Sequence, residues 1–192
     1  MIKPQTILTS RYIIRPIKEI DFESLHSAVM SSQFPENLPL KEIYHNGNLE
    51  KWFNNRFVSQ GDTNITWSIA INNNNDKCIG QISITEIVSD KDSSSEDKWA
   101  LSYWLHPHFW NQGIISECIV PVIDFCFNEL KIISLWAGVS TWNFSSIKIL
   151  EKCSFIKTGT QKDGFYINGI PQETFDYELD KIRWLENRMI NK

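Results

Sequence analysis

At 192 residues, with 42% hydrophobic content, the chain fits one domain with a real core, or one domain with a small extension. A net charge of -4 with no dense basic run argues against nucleic acid as a partner. No stretch approaches the ~20 apolar residues of a membrane-crossing helix, the N-terminal MIKPQTILTSRYIIRP lacks the apolar centre of a signal peptide, and Cys78, Cys118, Cys126 and Cys153 have no metal-ligand spacing, so a cytoplasmic protein with reduced thiols and no metal is expected.

Arg11–Ile17 (RYIIRPI) reads as a first strand. Ile20–Met30 follows with apolar residues at roughly helical spacing. Ser31–Gly47 holds two prolines and few periodic apolar positions, and reads as a loop or broken helix; Leu49–Val58 reads as a helix. Thr66–Ile71 and Cys78–Val88 are strands joined by the asparagine turn Asn72–Lys77. Ser89–Lys98 is a polar loop, Trp99–Leu105 a strand, and Ile114 to about Leu130 a helix that Pro121 is expected to kink. Ile132–Ser140 is a strand and Asn143–Cys153 a short helix. Asn168-Gly169 between two strand-like runs in Phe165–Leu179 marks a hairpin. IRWLENRMI closes the chain as a helix. The order implies an α+β fold in a single domain over 1–192: a central mixed, mostly antiparallel twisted sheet with helices on both faces.

The run FWNQGIISECIV carries the most chemistry. A strand ends, Gly113 follows, and a helix opens; that order aims several free backbone N–H groups and a helix dipole at one spot, which suits a phosphate. A glycine lets a diphosphate come close to the backbone, and the N–H groups from about Gln112 to Ser116 belong to a helix start. The same run is also compatible with an ordinary left-handed turn before a core helix.

These residues resemble the GNAT acetyltransferase superfamily, whose pyrophosphate loop reads Q/R-x-x-G-x-G/A. More closely, they look like the branch that acetylates the N-termini of ribosomal proteins (the ribosomal-protein-serine/alanine N-acetyltransferases). LSYWLHPHFWNQGIISEC and NFSSIKILEKCSF follow that branch's motifs in order and spacing; TSRYIIRP, WSIAI…KCIGQISI and GFYINGIPQETFDYEL…W extend the likeness over nearly the whole chain. The resemblance implies a GNAT-type domain that moves an acetyl group from acetyl-CoA to a primary amine, by direct attack in a ternary complex, and releases CoA. It implies that the backbone of Tyr103, Trp104 and Leu105 pairs with the pantetheine arm. Gln112, Gly113, Ile114, Ile115 and Ser116 would bind the pyrophosphate. Asn143 would bond the pantetheine, and Ser146 would lie near the sulfur and protonate the leaving thiolate. Each has a plainer reading beside it: Asn143 is a good N-cap, and Ser146 falls on a helix face where a serine can be solvated or bond its own backbone. Lys148 and Lys152 share one helical face, which suits solvent as well as phosphate; His106 and His108 flank Pro107 without an orienting carboxylate in view.

Three departures from the family pattern stand out. Ile115 replaces a small residue in the loop, Pro121 falls inside the long helix, and Ala100 stands where the branch carries the glutamate that deprotonates the amine. Glu86 is the candidate substitute, with Glu96 and Asp97 as alternatives. At pH 7 an α-amine of pKa ~7.8 is roughly 15% neutral, whereas a lysine amine of ~10.4 is about 0.04% neutral. An enzyme short of its base therefore loses least on an α-amine, which favours a ribosomal or other protein N-terminus as partner. A polyamine- or aminoglycoside-type acceptor and a non-catalytic acyl-CoA-binding module are the alternatives. A monomer or homodimer is expected.

Overall fold

The computed structural model describes residues 4–61, 63–72, 76–87 and 98–190. The fold divides into two compact units, one running to Ile84 and joined by Ser102–Val122, the other formed by Thr85–Leu101 and Ile123–Lys192.

In the first unit, β2 (Tyr12–Pro16) pairs antiparallel on one edge with β1 (Ile7–Leu8) and on the other with β3 (Asn64–Ile71), from Tyr12↔Ile71 to Pro16↔Trp67. The strand order continues through β4 (Cys78–Glu86) to β5 (Lys98–Leu105). β3 alternates Ile65, Trp67 and Ile69 with Asn64, Thr66 and Ser68, and both sets are buried. The apolar set follows from pleating against a core; the polar set has to find partners inside. It does so: the Thr66 hydroxyl bonds Asn64 Oδ1 at 2.8 Å and lies 2.9 Å from Ser83 Oγ. Helices α1 (Asp21–Met30), α2 (Pro39–His45) and α3 (Leu49–Val58) bring Leu25, Val29, Leu49 and Phe53 into one cluster with Cys78 and Trp104. α2 lies inside the stretch read as a loop or broken helix. Pro39 starts it, its fixed φ suiting a first helical position. Helix α4 (Ile114–Asn128) runs unbroken through Pro121.

In the second unit, β5 pairs parallel with β6 (Ser134–Ser140) over Lys98–Ala100 against Ser134–Trp136. β6 pairs antiparallel with β8 (Ile170–Asp180) along its whole length, and β7 (Ile156–Ile167) flanks β8. Asn168 at φ 49° and Gly169 at φ 76° make the tight turn between β7 and β8, closed by the pair Ile167↔Ile170. α5 (Phe144–Lys152) and α6 (Lys181–Ile190) complete the α-helices among the described residues. The closing Trp184 is buried, and its indole donates to Asp124 Oδ1 on α4 at 2.8 Å. The strands of the described residues are mixed in direction and the class is α+β, as expected.

All four cysteines are free and buried. Burial pushes the Cys78 and Cys118 thiols up to about 12 and Cys153 to about 11, with Cys126 also raised. Among the described residues, no helix is long and apolar enough to cross a membrane. Most of the Ser89–Lys98 loop, with Glu96 and Asp97, and the middle of the Asn72–Lys77 turn lie outside the described residues.

Candidate active site

The strand β5 must be fixed before it can hold anything, and its pleat shows how that is done. Ala100, Ser102 and Trp104 share one face; Trp99, Leu101, Tyr103 and Leu105 share the other. Trp104 is buried, and its indole N–H donates to Gln81 Oε1 at 3.0 Å. Gln81 Nε2 donates to Ser68 Oγ at 3.3 Å, and that hydroxyl donates to Asp21 Oδ2 at 2.7 Å. Asp21 also accepts two bonds from the Arg15 guanidinium, each 2.8 Å. Arg15 is 5% exposed and Asp21 2%, so this is a buried relay whose members satisfy one another. Asp76 caps the outer side of Arg15 through Nε. Beneath β5, a Cβ on Gly80 would lie 2.6 Å from the Trp104 carbonyl oxygen and 2.8 Å from Leu105 Cδ1, so a residue without a side chain is required there.

Beyond β5 the chain is fastened before it reaches the loop. The Trp110 indole donates to the Leu105 carbonyl at 2.8 Å. His106 Nδ1 accepts from the His108 N–H at 3.2 Å, with Nε2 3.4 Å from Ser27 Oγ. Burial, then the nearness of His108 and Lys77, lowers the His106 pKa; Nδ1 serves this turn and Nε2 faces Ser27 on α1. Asn111 at φ 61° and Gly113 at φ 70° both take the left-handed conformation. A Cβ on Gly113 would meet nothing within 4 Å. Its backbone angle therefore explains the glycine, and the space in front of it is open. The Glu117 N–H, bonded to the Gly113 carbonyl at 3.0 Å, is the first to close a helical turn. The N–H groups of Gly113, Ile114, Ile115 and Ser116 precede it, as the donors a helix start leaves without an intrahelical acceptor, and they sit at the positive end of the α4 dipole. Ile114 and Ile115 are 2% and 6% exposed, so the branched side chain that departs from the family pattern is packed inward.

Sequence reasoning missed the clasp behind this loop. Glu117 Oε1 accepts from the Thr9 hydroxyl (2.7 Å), the Ser10 hydroxyl (3.0 Å) and the Arg11 N–H (3.2 Å), and Oε2 accepts from Arg11 Nε (2.8 Å). Arg11 Nη2 also donates to the Gln112 carbonyl at 3.3 Å. Partial burial would raise the Glu117 carboxyl; the bonds from Thr9, Arg11 and Ser10 outweigh it and hold the carboxyl down to about 2. No local signal announces a partner more than a hundred residues away.

The second unit holds the remaining candidates. Asn143 caps α5, its Oδ1 accepting the Ser146 N–H at 3.3 Å, so the plain reading of Asn143 is realised. Ser146 is half-buried in the first turn, and Lys148 and Lys152 are exposed. Glu86 is half-buried at the end of β4. The Ile87 N–H donates to the Lys98 carbonyl at 2.9 Å, a pairing that sets Glu86 opposite Trp99 and Thr85 opposite Ala100. Glu86 thus shares the Trp99 face of the sheet, the reverse of the face that Ala100 occupies. The structure joins Tyr103–Leu105 to Gln112–Ser116 within one unit; Asn143 and Ser146 share one helical turn in the other.

Comparison with known proteins bears on the family and the fold. The protein named "Probable N-acetyltransferase YjcK" of Bacillus subtilis (strain 168) is 32% identical over 95 residues, 50% of either chain. The chain spans about half the length of the curated relatives it matches. Among solved structures, RimL, a ribosomal L7/L12 alpha-N-protein acetyltransferase in complex with coenzyme A, superposes with TM-score 0.74 at 18% identity, covering 92% of this chain and 98% of that one. A spermidine N-acetyltransferase SpeG chimera from Vibrio cholerae and hSSAT superposes with TM-score 0.72 at 18% identity, covering 92% and 99%. At such identities these likenesses speak for the fold. The acetyltransferase (GNAT) domain family matches residues 11–156, from β2 to the start of β7, and the chain belongs to that family.

Proposed function

We propose that residues 1–192 work as one N-acetyltransferase domain that moves an acetyl group from acetyl-CoA to a primary amine, the α-amine of a protein or peptide. The observation that carries the reading is the run of helix-start N–H donors at 113–116 facing open space at Gly113. Such donors suit a diphosphate, and a bond to a charged oxygen is roughly twice as strong as a neutral one. Coenzyme A would supply the activated acetyl group as a thioester. Gln112, Gly113, Ile114, Ile115 and Ser116 would bind its pyrophosphate through the backbone. Tyr103, Trp104 and Leu105 would align its arm, on a strand whose parallel ladder stops at Ala100 although the strand runs on to Leu105. Asn143 would orient the arm beyond its capping role, and Ser146 would hand a proton to the departing sulfur. A free thiol of pKa about 8.5 is already a fair leaving group, so little is asked of Ser146.

The α-amine is favoured over lysine by its larger neutral fraction at pH 7, and the likeness to RimL supports the same class of acceptor. The spermidine acetyltransferase chimera supports a polyamine acceptor as second reading. Ala100 supports a third, a module that binds acyl-CoA without turnover. Thiol release from acetyl-CoA, followed with a panel of an N-terminal peptide, a lysine peptide with blocked N-terminus and spermidine, separates them. The proposal expects the N-terminal peptide to be fastest. A faster lysine peptide or spermidine overturns the acceptor class, and coenzyme A binding without thiol release from any amine overturns the enzyme.

A further inference from the structure

Amine acetylation needs a group that takes a proton from nitrogen, and β5, reading KWALSYWL, offers no carboxylate. Strand register shows what lies beside it. Ala100 pairs with Trp136 on β6, and Trp136 pairs with Glu178 on β8. Laterally paired residues share a face, so Ala100, Trp136 and Glu178 form one row across the second unit. Asp176 and Asp180 stand on the same face of β8. Asp180 Oδ1 accepts the Arg183 N–H at the start of α6 at 2.8 Å; Asp176 pairs with Gly138, outside the row, its Oδ2 accepting from Gln161 Nε2 at 2.8 Å and its Oδ1 buried without a hydrogen-bond partner among the described residues. Glu178 is half-buried, and its carboxylate has no hydrogen-bond or ion-pair partner among the described residues.

The neighbours in the row leave the way open. A Cβ on Gly138 would lie 3.0 Å from Trp136 Cη2, so the Trp136 ring lies along β6 over Gly138 instead of standing between Glu178 and Ala100. Strands sit about 4.8 Å apart, which puts the Glu178 backbone about 10 Å from that of Ala100. A glutamate side chain covers about half of that, and the methyl group of Ala100 fills none of the rest, which leaves space the size of an amine or one water.

We propose that Glu178 is the proton acceptor for the amine, acting directly or through one water above Ala100; this rests on the acetyl-transfer reading. As the N–C bond forms and the C–S bond breaks, one proton passes from nitrogen to the Glu178 carboxylate, and the Ser146 hydroxyl gives one to sulfur and regains it from solvent. The carboxyl group then returns its proton to solvent.

The test compares E178Q with E173Q, an exposed glutamate on the other face of β8, by thiol release against pH and by coenzyme A calorimetry. E178Q is expected to bind coenzyme A as the parent does, to lose on the order of 10²-fold in kcat, and to lose the acid limb of the kcat profile at saturating amine; E173Q is expected to keep both. A100E in the E178Q background, which returns a carboxylate to the same row, is expected to restore activity. If the parent turns over and E178Q matches it in rate and pH profile, Glu178 is not the acceptor. If the parent binds coenzyme A and acetylates no amine, the acetyl-transfer reading itself fails.

Discussion

Replacing Asp21 by alanine tests the buried relay that secures β5. Asp21 accepts four bonds, two from Arg15, one from the Lys18 N–H (2.8 Å) and one from Ser68 (2.7 Å). The substitution leaves a guanidinium that is 5% exposed with, among the described residues, Asp76 alone as carboxylate partner, on its outer side. Removing one member of a buried ion pair costs about 3–5 kcal/mol, because the other charge stays buried. For a chain of this size each kcal/mol moves the melting temperature by about 2–4 °C, so D21A should melt about 6–20 °C below the parent. The cost arises from the stranded charge, and so R15M/D21A should recover much of the loss. Hydrogen exchange adds a second readout: Gln81 and Trp104 hang on the same relay, so the amides of β5 should exchange faster in D21A and less so in the double variant. Calorimetric melting of the parent, both singles and the double gives the coupling. If the double variant loses the sum of the two singles, the relay argument is refuted.

The other expectations concern the loop, the thiols and the glycine under β5. Glu117 titrates well below its ordinary 4.5, at about 2, so its contribution to stability is complete above about pH 4.5 and fades as pH falls toward 2; in urea unfolding the gap between parent and E117Q should be largest near pH 6 and shrink by about pH 2.5, and a constant gap would contradict this. The four buried thiols, pushed up by burial, should resist a thiol-reactive dye at about pH 8 until the protein is unfolded, and a rapid native reaction would count against the packing. G80A should cost about 1–3 kcal/mol, since its Cβ would meet backbone at 2.6 Å that cannot swing aside; an unchanged melting temperature would refute the close approach of β4 to β5.

What the sequence made legible is what short-range periodicity records. β3, β4, β5 and α4 show clear alternation or helical spacing, and the Asn168-Gly169 turn announces itself through two residues that tolerate positive φ. Three elements lacked such a mark. β1 is two residues long, α2 is a seven-residue helix between prolines and Gly47, and the first half of β7 is exposed and interrupted by register shifts, so its pleat leaves no apolar alternation. The site divides in the same way. The loop at Gly113 could be read because a left-handed residue before a helix is a local event. The Glu117 clasp, the Gln81–Trp104 bond and the Ala100–Trp136–Glu178 row could not, because each depends on which strands become neighbours. Glu86 was the natural candidate from chain order, and one backbone bond, Ile87 to Lys98, turns it to the other face.

The whole account stands on the donors before Glu117 gripping a diphosphate. Titration of coenzyme A into the folded protein at low salt, beside Gly113→Ala, tests this most directly. The added methyl group meets no neighbour within 4 Å and strains a φ of +70°, at a cost of about 1–2 kcal/mol. The account predicts clear binding heat for the parent and weakened or absent heat for a variant that still melts cooperatively; a folded parent that gives no heat, or a variant that binds as tightly as the parent, would contradict it.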